Sequence, residues 1–282
     1  MSRMDAEQPS TDDALRRKLP FGPSTEFSRV KRWRRASEGV EGWFSPMSAA
    51  LWDGFLGWQH AWSVRGDLLE IGCAHGLSAL MLGVHAQPGE TTRLIDAAPH
   101  HAAAAPQRVW PHSDGQVLGI HAFSERMDSS VLPMRGSRFM HIDGDHGRWA
   151  LHNDLELAHR VVCDEGLVVL DDFLAPQFGG VTVGAIEWMT RNPEAFQFVL
   201  IGFNKAYLCR PRHQQRYLEF LRDGMPAHLR VCGEEDFTFW RTDDRRAFPA
   251  FGLTARQFDR DFVSREFAMA EPERLVDGKL AL

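Results

Sequence analysis

The 282-residue sequence has few cysteines and no long apolar run, and each of these deficits excludes a class of protein. The four cysteines, Cys73, Cys163, Cys209 and Cys232, are scattered and form no C-x-x-C pair. We therefore expect neither a disulfide framework nor a soft-ligand metal site, but reduced thiols in a cytoplasmic protein. No apolar run approaches the ~20 residues that span a membrane, and the first residues lack the apolar core of a signal peptide, so no membrane association is expected.

An excess of positive charge is also missing. Lys and Arg number 32 against 38 Asp and Glu, so the formal net charge is −6 at pH 7, which argues against a general nucleic-acid binder. The basic run RVKRWRR, residues 29–35, is more often the solvated face of a helix than a phosphate site. Hydrophobic residues, at 44%, suffice for a sizeable core.

The stretch LLEIGCAHGLSALML, residues 68–82, has the pattern of a buried strand, a glycine-containing turn and the start of a helix. Such a turn directs backbone N–H groups and the positive end of a helix at one crevice, which suits a nucleotide-like cofactor. We expect Glu70, Gly72, Ala74 and Gly76 to form this site. Ala74 interrupts the dinucleotide pattern G-x-G-x-x-G, and an ordinary strand–turn–helix is the alternative interpretation.

Strands and helices alternate along the middle of the chain, which predicts a parallel sheet. Ser45 and Pro46 are typical of a helix start, and the apolar residues that follow to residue 62 predict a helix packed against the sheet. A final pair of strands is expected around residues 204–205. The predicted fold class is therefore α/β, with a doubly wound, mostly parallel sheet.

Two further residues follow predicted strands and are assigned to the cofactor. Asp96 ends the strand 91–99, and its carboxylate can accept two hydrogen bonds from the diol of a ribose. A solvated loop aspartate is the alternative. Ser124 follows the strand 117–123, at the edge of the sheet where the rings of a cofactor bind.

Acidic side chains follow two more strands. Asp143, Asp145 and His146 follow one, and Asp171 and Asp172 follow the other. If the strands are neighbours, the carboxylates converge and repel one another, and a divalent cation removes the conflict. Oxygen ligands suit Mg²⁺, with Mn²⁺ or Ca²⁺ as substitutes. The alternative is that the Asp pair caps a loop and that Asp145 is solvated.

Taken together, LLEIGCAHG, LIDA, HIDGDH and VVLDDF resemble the class I S-adenosylmethionine (SAM) methyltransferases, in the branch around macrocin-type sugar O-methyltransferases. The resemblance covers about residues 40–215. It implies a Rossmann-like sheet with a terminal antiparallel hairpin, which the two strands around residues 204–205 would form. It implies that Asp143, Asp171 and Asp172 bind Mg²⁺ and that Asp145 is the general base. His146 departs from the antibiotic-sugar enzymes, and imidazole is a common proton acceptor, so it is a second candidate base. The expected cofactor-binding residues are Glu70, Gly72, Ala74, Gly76, Asp96, Ser124 and Asp143.

The resemblance implies a SAM-dependent, Mg-assisted O-methyltransferase of biosynthesis that acts on a hydroxyl, one of a vicinal pair, in a sugar or secondary metabolite. It divides the chain into a partly disordered tail (1–40), a methyltransferase domain (41–215) and a C-terminal extension of unknown fold (216–282). The expected partner is a small-molecule or glycan acceptor, neither nucleic acid nor membrane. The frequent dimers of this branch are compatible with a homo-oligomer.

Three other functions compete with this one. A NAD-dependent oxidoreductase is disfavoured by Ala74 and by the acidic Glu70 in the glycine turn. A non-haem iron oxygenase would use His141, Asp143 and His146, but that triad normally occurs in a β-sandwich, and a histidine within a strand is more often packed. A non-catalytic SAM-binding protein is less consistent with the complete set of carboxylates.

Overall fold

The computed structural model describes residues 23–127, 132–241, 250–255, 275–276 and 279–280. Helices alternate with strands through this part of the chain. The helices are α1 (Pro23–Ala36), α2 (Pro46–Ala61), α3 (Ala79–His85), α4 (Pro99–Val109), α5 (Arg148–Val161), α6 (Gly179–Arg191), α7 (Gln214–Asp223) and α8 (Met225–Val231). None of these described helices is long and apolar enough to cross a membrane.

The strands form a large mixed sheet and a separate short pair. The strands of the large sheet are β1 (Asp67–Ile71), β2 (Thr91–Asp96), β3 (Gln116–His121), β4 (Ser137–Ile142), β5 (Val162–Leu170), β6 (Gln197–Gly202), β7 (Lys205–Cys209), β8 (Thr238–Arg241) and β9 (Phe251–Thr254). Their order across the sheet is β3-β2-β1-β4-β5-β7-β6-β9-β8. The pair is β10 (Leu275–Val276) with β11 (Lys279–Leu280).

The strand directions confirm the predicted fold class. Strands β1 to β5 pair in parallel, and β7 runs antiparallel to both β5 and β6, which is the predicted hairpin. The order of the strands reverses between β1 and β4, and loops that leave the sheet on either side of such a point leave room for a ligand. The candidate site lies at this position.

The core fills both faces of the sheet, because successive residues of a strand point to opposite sides. Leu68 and Phe139 join the cluster that α1, α2 and α3 cover, whereas Leu69 and Met140 join the cluster beneath α5 and α6. All six residues of β4 are buried. This central strand is therefore fixed on both faces, which holds the loop that follows it in place.

Helix α2 begins where the sequence predicts. The hydroxyl oxygen of Ser45 accepts the backbone N–H of Ser48 at 3.0 Å, and Pro46 occupies the first turn, where a missing N–H has no cost. The helix is buried over most of its length. Its Trp52 contacts the rings of Phe139 and His141 edge-on. The helix thus covers the sheet directly below the candidate site.

The two chain ends contain more regular structure than the sequence indicated. Residues 23–36 of the predicted tail form α1, in which Val30 and Trp33 of the basic run are buried. The rest of the predicted tail, residues 1–22, lies outside the described residues. Within the predicted C-terminal extension, β9 pairs in parallel with β6 and extends the large sheet, and β8 pairs with β9.

Candidate active site

The turn after β1 contacts the loop after β4. Gly72 has a φ of 81°, and a Cβ there would lie 1.7 Å from the carbonyl oxygen of Asp143. Glycine is therefore required for this approach. The N–H of Gly72 donates to the carbonyl of Ile95 at 2.8 Å, and the N–H of Asp143 donates to the carbonyl of Ile71 at 2.9 Å. The ends of three neighbouring strands are thus joined at the predicted cofactor turn.

Asp96 braces this turn. One oxygen of its carboxylate accepts the N–H of Ala74 at 2.8 Å, and the other accepts the N–H of Ala98 at 2.8 Å. Its side chain is largely buried. The thiol of Cys73 lies 3.8 Å from the first oxygen, and Nδ1 of His101 lies 3.5 Å from the second. Asp96 thus fixes the glycine turn, and its two long contacts are the ones that a ribose hydroxyl could replace.

Glu70 lies beneath the turn, because its side chain is completely buried. One of its carboxylate oxygens accepts the hydroxyl of Ser78 at 2.6 Å and lies 2.7 Å from Nδ1 of His141. The side chain therefore ties the start of α3 to the central strand β4. Ser124 lies in a single 3-10 turn directly after β3, at the same edge of the sheet.

His141 is the buried centre of the acidic cluster. Its Nδ1 faces Glu70, its Nε2 lies 3.3 Å from a carboxylate oxygen of Asp171, and its ring meets that of Trp52 edge-on. Burial alone would lower the pKa of His141, but hydrogen bonds to Asp171 and Glu70 outweigh burial and raise the pKa to about 9. At neutral pH the ring is therefore an imidazolium held between two carboxylates.

Asp171 is saturated with partners from the chain itself. One oxygen faces both the ammonium of Lys205 and the imidazolium of His141, and the other accepts the N–H of Asp172 at 2.8 Å. Burial would raise the pKa of Asp171, but His141 and Lys205 outweigh it and hold that pKa well below its usual range. Lys205 is itself buried, and sequence reasoning did not single it out.

Within the part of the chain that the structure describes, no residue forms a salt bridge with Asp143, a third carboxylate of this cluster. Burial is the main cause that raises its pKa to about 7, and the charges of Asp171 and Glu70 add to the rise, against the pull of His141 and Lys205. A carboxylate oxygen of Asp143 lies within 4.8 Å of possible ligand atoms on His141 and Asp171. It is therefore the position in this cluster where a bound cation relieves the most repulsion.

Asp172 and His146 form a second group with Asp143, again with possible ligand atoms within 4.8 Å of one another. Nε2 of His146 lies 3.0 Å from one carboxylate oxygen of Asp172, and the amide of Asn204 donates to the other at 2.6 Å. The ring of His146 stacks on Phe178 at a centroid distance of 3.8 Å. These contacts fix the orientation of a half-exposed imidazole beside the acidic cluster.

Asp145, the other candidate base, is not among the residues whose possible ligand atoms converge in these two groups. Its side chain is exposed, and one of its carboxylate oxygens accepts the N–H of Gly147 at 2.6 Å. That bond closes the short turn that leads into α5. The structure thus brings together Asp143, Asp171, Asp172 and His146, while Asp145 has a local role in the loop.

The donor atoms of the cluster fit a divalent cation at two of the three predicted positions. Asp143 has no protein cation of its own beyond those that Asp171 shares, and Asp172 lies within ligand distance of it. Oxygen atoms in such a pair are the ligands that Mg²⁺ prefers. Asp171 fits less well, since Lys205 and His141 already neutralise it.

Comparison with known proteins indicates which class of enzyme has this sequence pattern. The sequence pattern of a family described as "Methyltransferase domain" matches residues 69–173, which run from β1 to the residue after the Asp pair. Residues 69–173 are a methyltransferase domain. The match covers the glycine turn and all of the predicted metal ligands, and it supports a SAM-dependent methyltransferase as the enzyme class. No curated protein matches the chain.

Several solved structures resemble the chain around this methyltransferase domain. An O-methyltransferase from Bacillus cereus in complex with SAH is 15% identical, covers 71% of this chain and 97% of its own, and has a TM-score of 0.46. A putative O-methyltransferase from Klebsiella pneumoniae is 16% identical over 71% of this chain and 96% of its own, with a TM-score of 0.44. A TDP-rhamnose 3'-O-methyltransferase of calicheamicin biosynthesis is 12% identical over 74% and 96%, with a TM-score of 0.47. Similarity this low carries no detail of function to this chain.

Proposed function

We propose that the chain is a SAM-dependent O-methyltransferase that methylates one hydroxyl of a vicinal pair on a sugar or secondary metabolite, with assistance from Mg²⁺. One observation carries the proposal: Gly72 of the donor turn contacts the backbone of Asp143, whose carboxylate has a raised pKa. A donor held by that turn and an acceptor held by that carboxylate are neighbours. Methyl transfer requires this proximity, since well-oriented reactants are worth about 7–11 kcal/mol of barrier.

The donor side of the proposal uses the ends of β1, β2 and β3. The turn between Gly72 and Gly76 would hold the methionine part of SAM through its backbone groups. Asp96 would accept hydrogen bonds from the ribose hydroxyls in place of its long contacts to Cys73 and His101, and Ser124 would border the adenine. Asp96 supports this assignment because it already fixes the turn through Ala74, so ribose and turn share one anchor.

The acceptor side uses the acidic cluster. Asp143 and Asp172 would hold Mg²⁺, with Asp171 beside them. A bound Mg²⁺ lowers the pKa of a coordinated hydroxyl and fixes its position. Without a cation, the raised pKa of Asp143 leaves that carboxylate partly protonated at neutral pH. A carboxylate in such surroundings gains from a bound cation, which supports Asp143 as a metal ligand.

We assign the proton acceptor to His146. If the N–H at Nε2 donates to Asp172, the lone pair at Nδ1 is free to accept the proton of the substrate hydroxyl. Asp172 then orients the ring and stabilises the imidazolium that forms. Asp145 is the second candidate, but its contact with Gly147 holds it in the loop. An oriented base of this kind contributes about 10²–10⁴-fold to the rate.

The test incubates the full chain with isotope-labelled SAM, Mg²⁺ and a panel of sugars, glycans and catechols, and follows labelled products by mass spectrometry. We expect His146→Gln to lower the rate by about 10²–10⁴-fold and Asp145→Asn to lower it by less than about tenfold. Asp114→Asn, an exposed aspartate at the other end of the sheet, is the matched control. A normal rate in His146→Gln would reject the base.

The metal needs a separate test that does not depend on turnover. Calorimetry with Mg²⁺ on chelator-treated protein should show binding that Asp143→Asn and Asp172→Asn both abolish, while Asp114→Asn keeps it. Turnover that persists in chelator, together with no heat of Mg²⁺ binding, would remove the metal from the mechanism. Binding of NADH but not SAM in the same calorimeter would instead support an oxidoreductase.

A further inference from the structure

A second cluster of ligand-type side chains lies among helices α2, α3 and α8, apart from the loops at the edge of the sheet. We call it the helix cluster. Its members are Asp53 of α2, His85 at the end of α3, and His228 and Cys232 of α8 and the residue that follows it. Each of the four is 4% exposed or less. Charged and titratable groups buried this deeply need partners or a metal.

Three polar atoms in and around the helix cluster lie close to one nitrogen, Nε2 of His228. It lies 3.2 Å from a carboxylate oxygen of Asp53, 3.4 Å from the sulfur of Cys232 and 3.2 Å from the carbonyl oxygen of Ala50. Two of these neighbours are oxygens that accept hydrogen bonds, and the third is a thiol that can donate or accept. One N–H points well at only one of the three atoms, so the convergence of oxygen, nitrogen and sulfur also suits a metal ion.

These separations are those between the ligands of a tetrahedral zinc ion. With Zn–N of about 2.05 Å, Zn–O of about 2.0 Å and Zn–S of about 2.3 Å, tetrahedral angles place N and O about 3.3 Å apart and N and S about 3.6 Å apart. The observed distances are 3.2 and 3.4 Å. The ligand atoms of Asp53, His228 and Cys232 all lie within 4.8 Å of one another.

Local structure explains why the side chains meet. His228 and Cys232 are four residues apart, and the N–H of Cys232 donates to the carbonyl of His228 at 3.0 Å, so both side chains lie on one face of α8. Gly54 lets that face approach α2, since a Cβ there would lie 2.9 Å from a ring carbon of His228 and 2.8 Å from the sulfur of Met225. Because Gly54 has no side chain, α8 packs close enough to α2 for His228 and Cys232 to lie beside Asp53.

We propose that Asp53, His228 and Cys232 bind a structural Zn²⁺ ion. The mixed set of carboxylate, imidazole and thiolate suits Zn²⁺ better than Mg²⁺, which prefers oxygen alone. One carboxylate and one thiolate also balance the two charges of the ion, so the buried site is neutral. Binding releases two protons to solvent, one from the thiol of Cys232 and one from the imidazolium of His228. The ion would join α8, in the predicted C-terminal extension, to α2.

His85 has a positioning role in this site. Its Nε2 lies 2.7 Å from the second carboxylate oxygen of Asp53, the one that does not face His228. A hydrogen bond to that oxygen orients the ligand oxygen, as partners of metal-binding carboxylates commonly do. Removal of such a partner typically weakens metal affinity by about 10–100-fold, whereas removal of a ligand weakens it further.

The test measures metal in the full chain, expressed with added zinc and then dialysed. We expect about one zinc per chain by elemental analysis. Cobalt added to the metal-free parent protein should give a thiolate-to-metal charge-transfer band and the strong visible bands of a tetrahedral ion. Cys232→Ser should lose the charge-transfer band, and His85→Gln should keep it with about 10–100-fold weaker affinity. Cys163→Ser, a cysteine outside the cluster, is the matched control.

The outcomes decide between a metal and a buried ion pair. A parent protein that holds no zinc and gives no thiolate band with cobalt would overturn the proposal, and the cluster would then be an Asp53–His228 ion pair with a neutral thiol. Zinc that Cys232→Ser retains in full, with the charge-transfer band intact, would overturn it as well. The cobalt titration uses the parent protein, so the result stands even if a variant fails to fold.

Discussion

Replacement of His141 by glutamine removes the buried positive charge between Glu70 and Asp171 while it keeps a hydrogen-bonding side chain. The folded-state pKa of His141 is about 9 against an ordinary value of 6.5. Because one pKa unit corresponds to about 1.36 kcal/mol, the imidazolium contributes about 3 kcal/mol to the free energy of unfolding. That contribution is fully present below pH 6.5 and is lost as the pH rises through about 9, since a raised pKa favours the protonated folded state.

Urea unfolding of chelator-treated protein measures this effect. We expect His141→Gln to lower the free energy of unfolding by about 3 kcal/mol near pH 6 and by less than about 1 kcal/mol near pH 10, where both proteins carry a neutral side chain. His121→Gln, an exposed histidine at the end of β3, should change stability by less than about 0.5 kcal/mol at either pH. An equal loss at both pH values would refute a charged His141, because it would show that packing alone causes the loss.

Two further predictions concern the same site. Gly72→Ala should abolish SAM binding in a calorimeter and lower the free energy of unfolding by clearly more than the ~1–2 kcal/mol of a strained φ. Gly89→Ala, at a similar positive φ with open space around it, should cost only that strain and keep SAM binding. Equal effects of the two substitutions would exclude the contact between Gly72 and Asp143. Lys205→Met should lower the free energy of unfolding by about 3 kcal/mol, since it leaves Asp171 with one cation fewer. In urea unfolding, Mg²⁺ should then stabilise this variant more than the parent protein. An equal effect of Mg²⁺ on both proteins would show that Lys205 does not compete with the metal.

Much of the fold could be predicted, because the signals are local. Ser45 and Pro46 mark the start of α2 through capping, and the apolar Leu68, Leu69 and Ile71 before Gly72 mark β1. The strand boundaries shift by a few residues, as in the predicted strand 117–123, which is Gln116–His121 in the structure. Strands β8 and β9 carry no comparable pattern, and the pairing of β9 with β6 depends on residues far away in sequence.

The glycine turn and the acidic residues of the candidate site were proposed from the sequence, whereas Lys205 was not. Asp143, Asp171 and Asp172 follow hydrophobic strands, so the parallel order alone brings them together. Lys205 was missed because its position against Asp171 depends on the antiparallel pairing of β5 with β7, which a single sequence does not specify. The burial of Glu70 likewise depends on His141 from a neighbouring strand, 71 residues later in the chain.

The assignment of these site residues, of the metal and of the acceptor stays a prediction until the binding and turnover experiments are done. For the general base, the structure favours His146 over Asp145. His146 has an oriented partner in Asp172, whereas Asp145 is held in the loop by Gly147. For this reason the pH profile of His146→Gln is more informative than that of Asp145→Asn.

A continuous row of contacts runs from Ser78 through Glu70, His141 and Asp171 to Lys205. From Glu70 onward, negative and positive charges alternate along it, and these four side chains are buried, so bulk water does not readily replace a lost partner. Homologous chains that differ at one of these positions should therefore differ at an adjacent one too, for example by exchanging His141 and Glu70 together for neutral residues. Evolutionary change along this row is expected to occur in matched pairs.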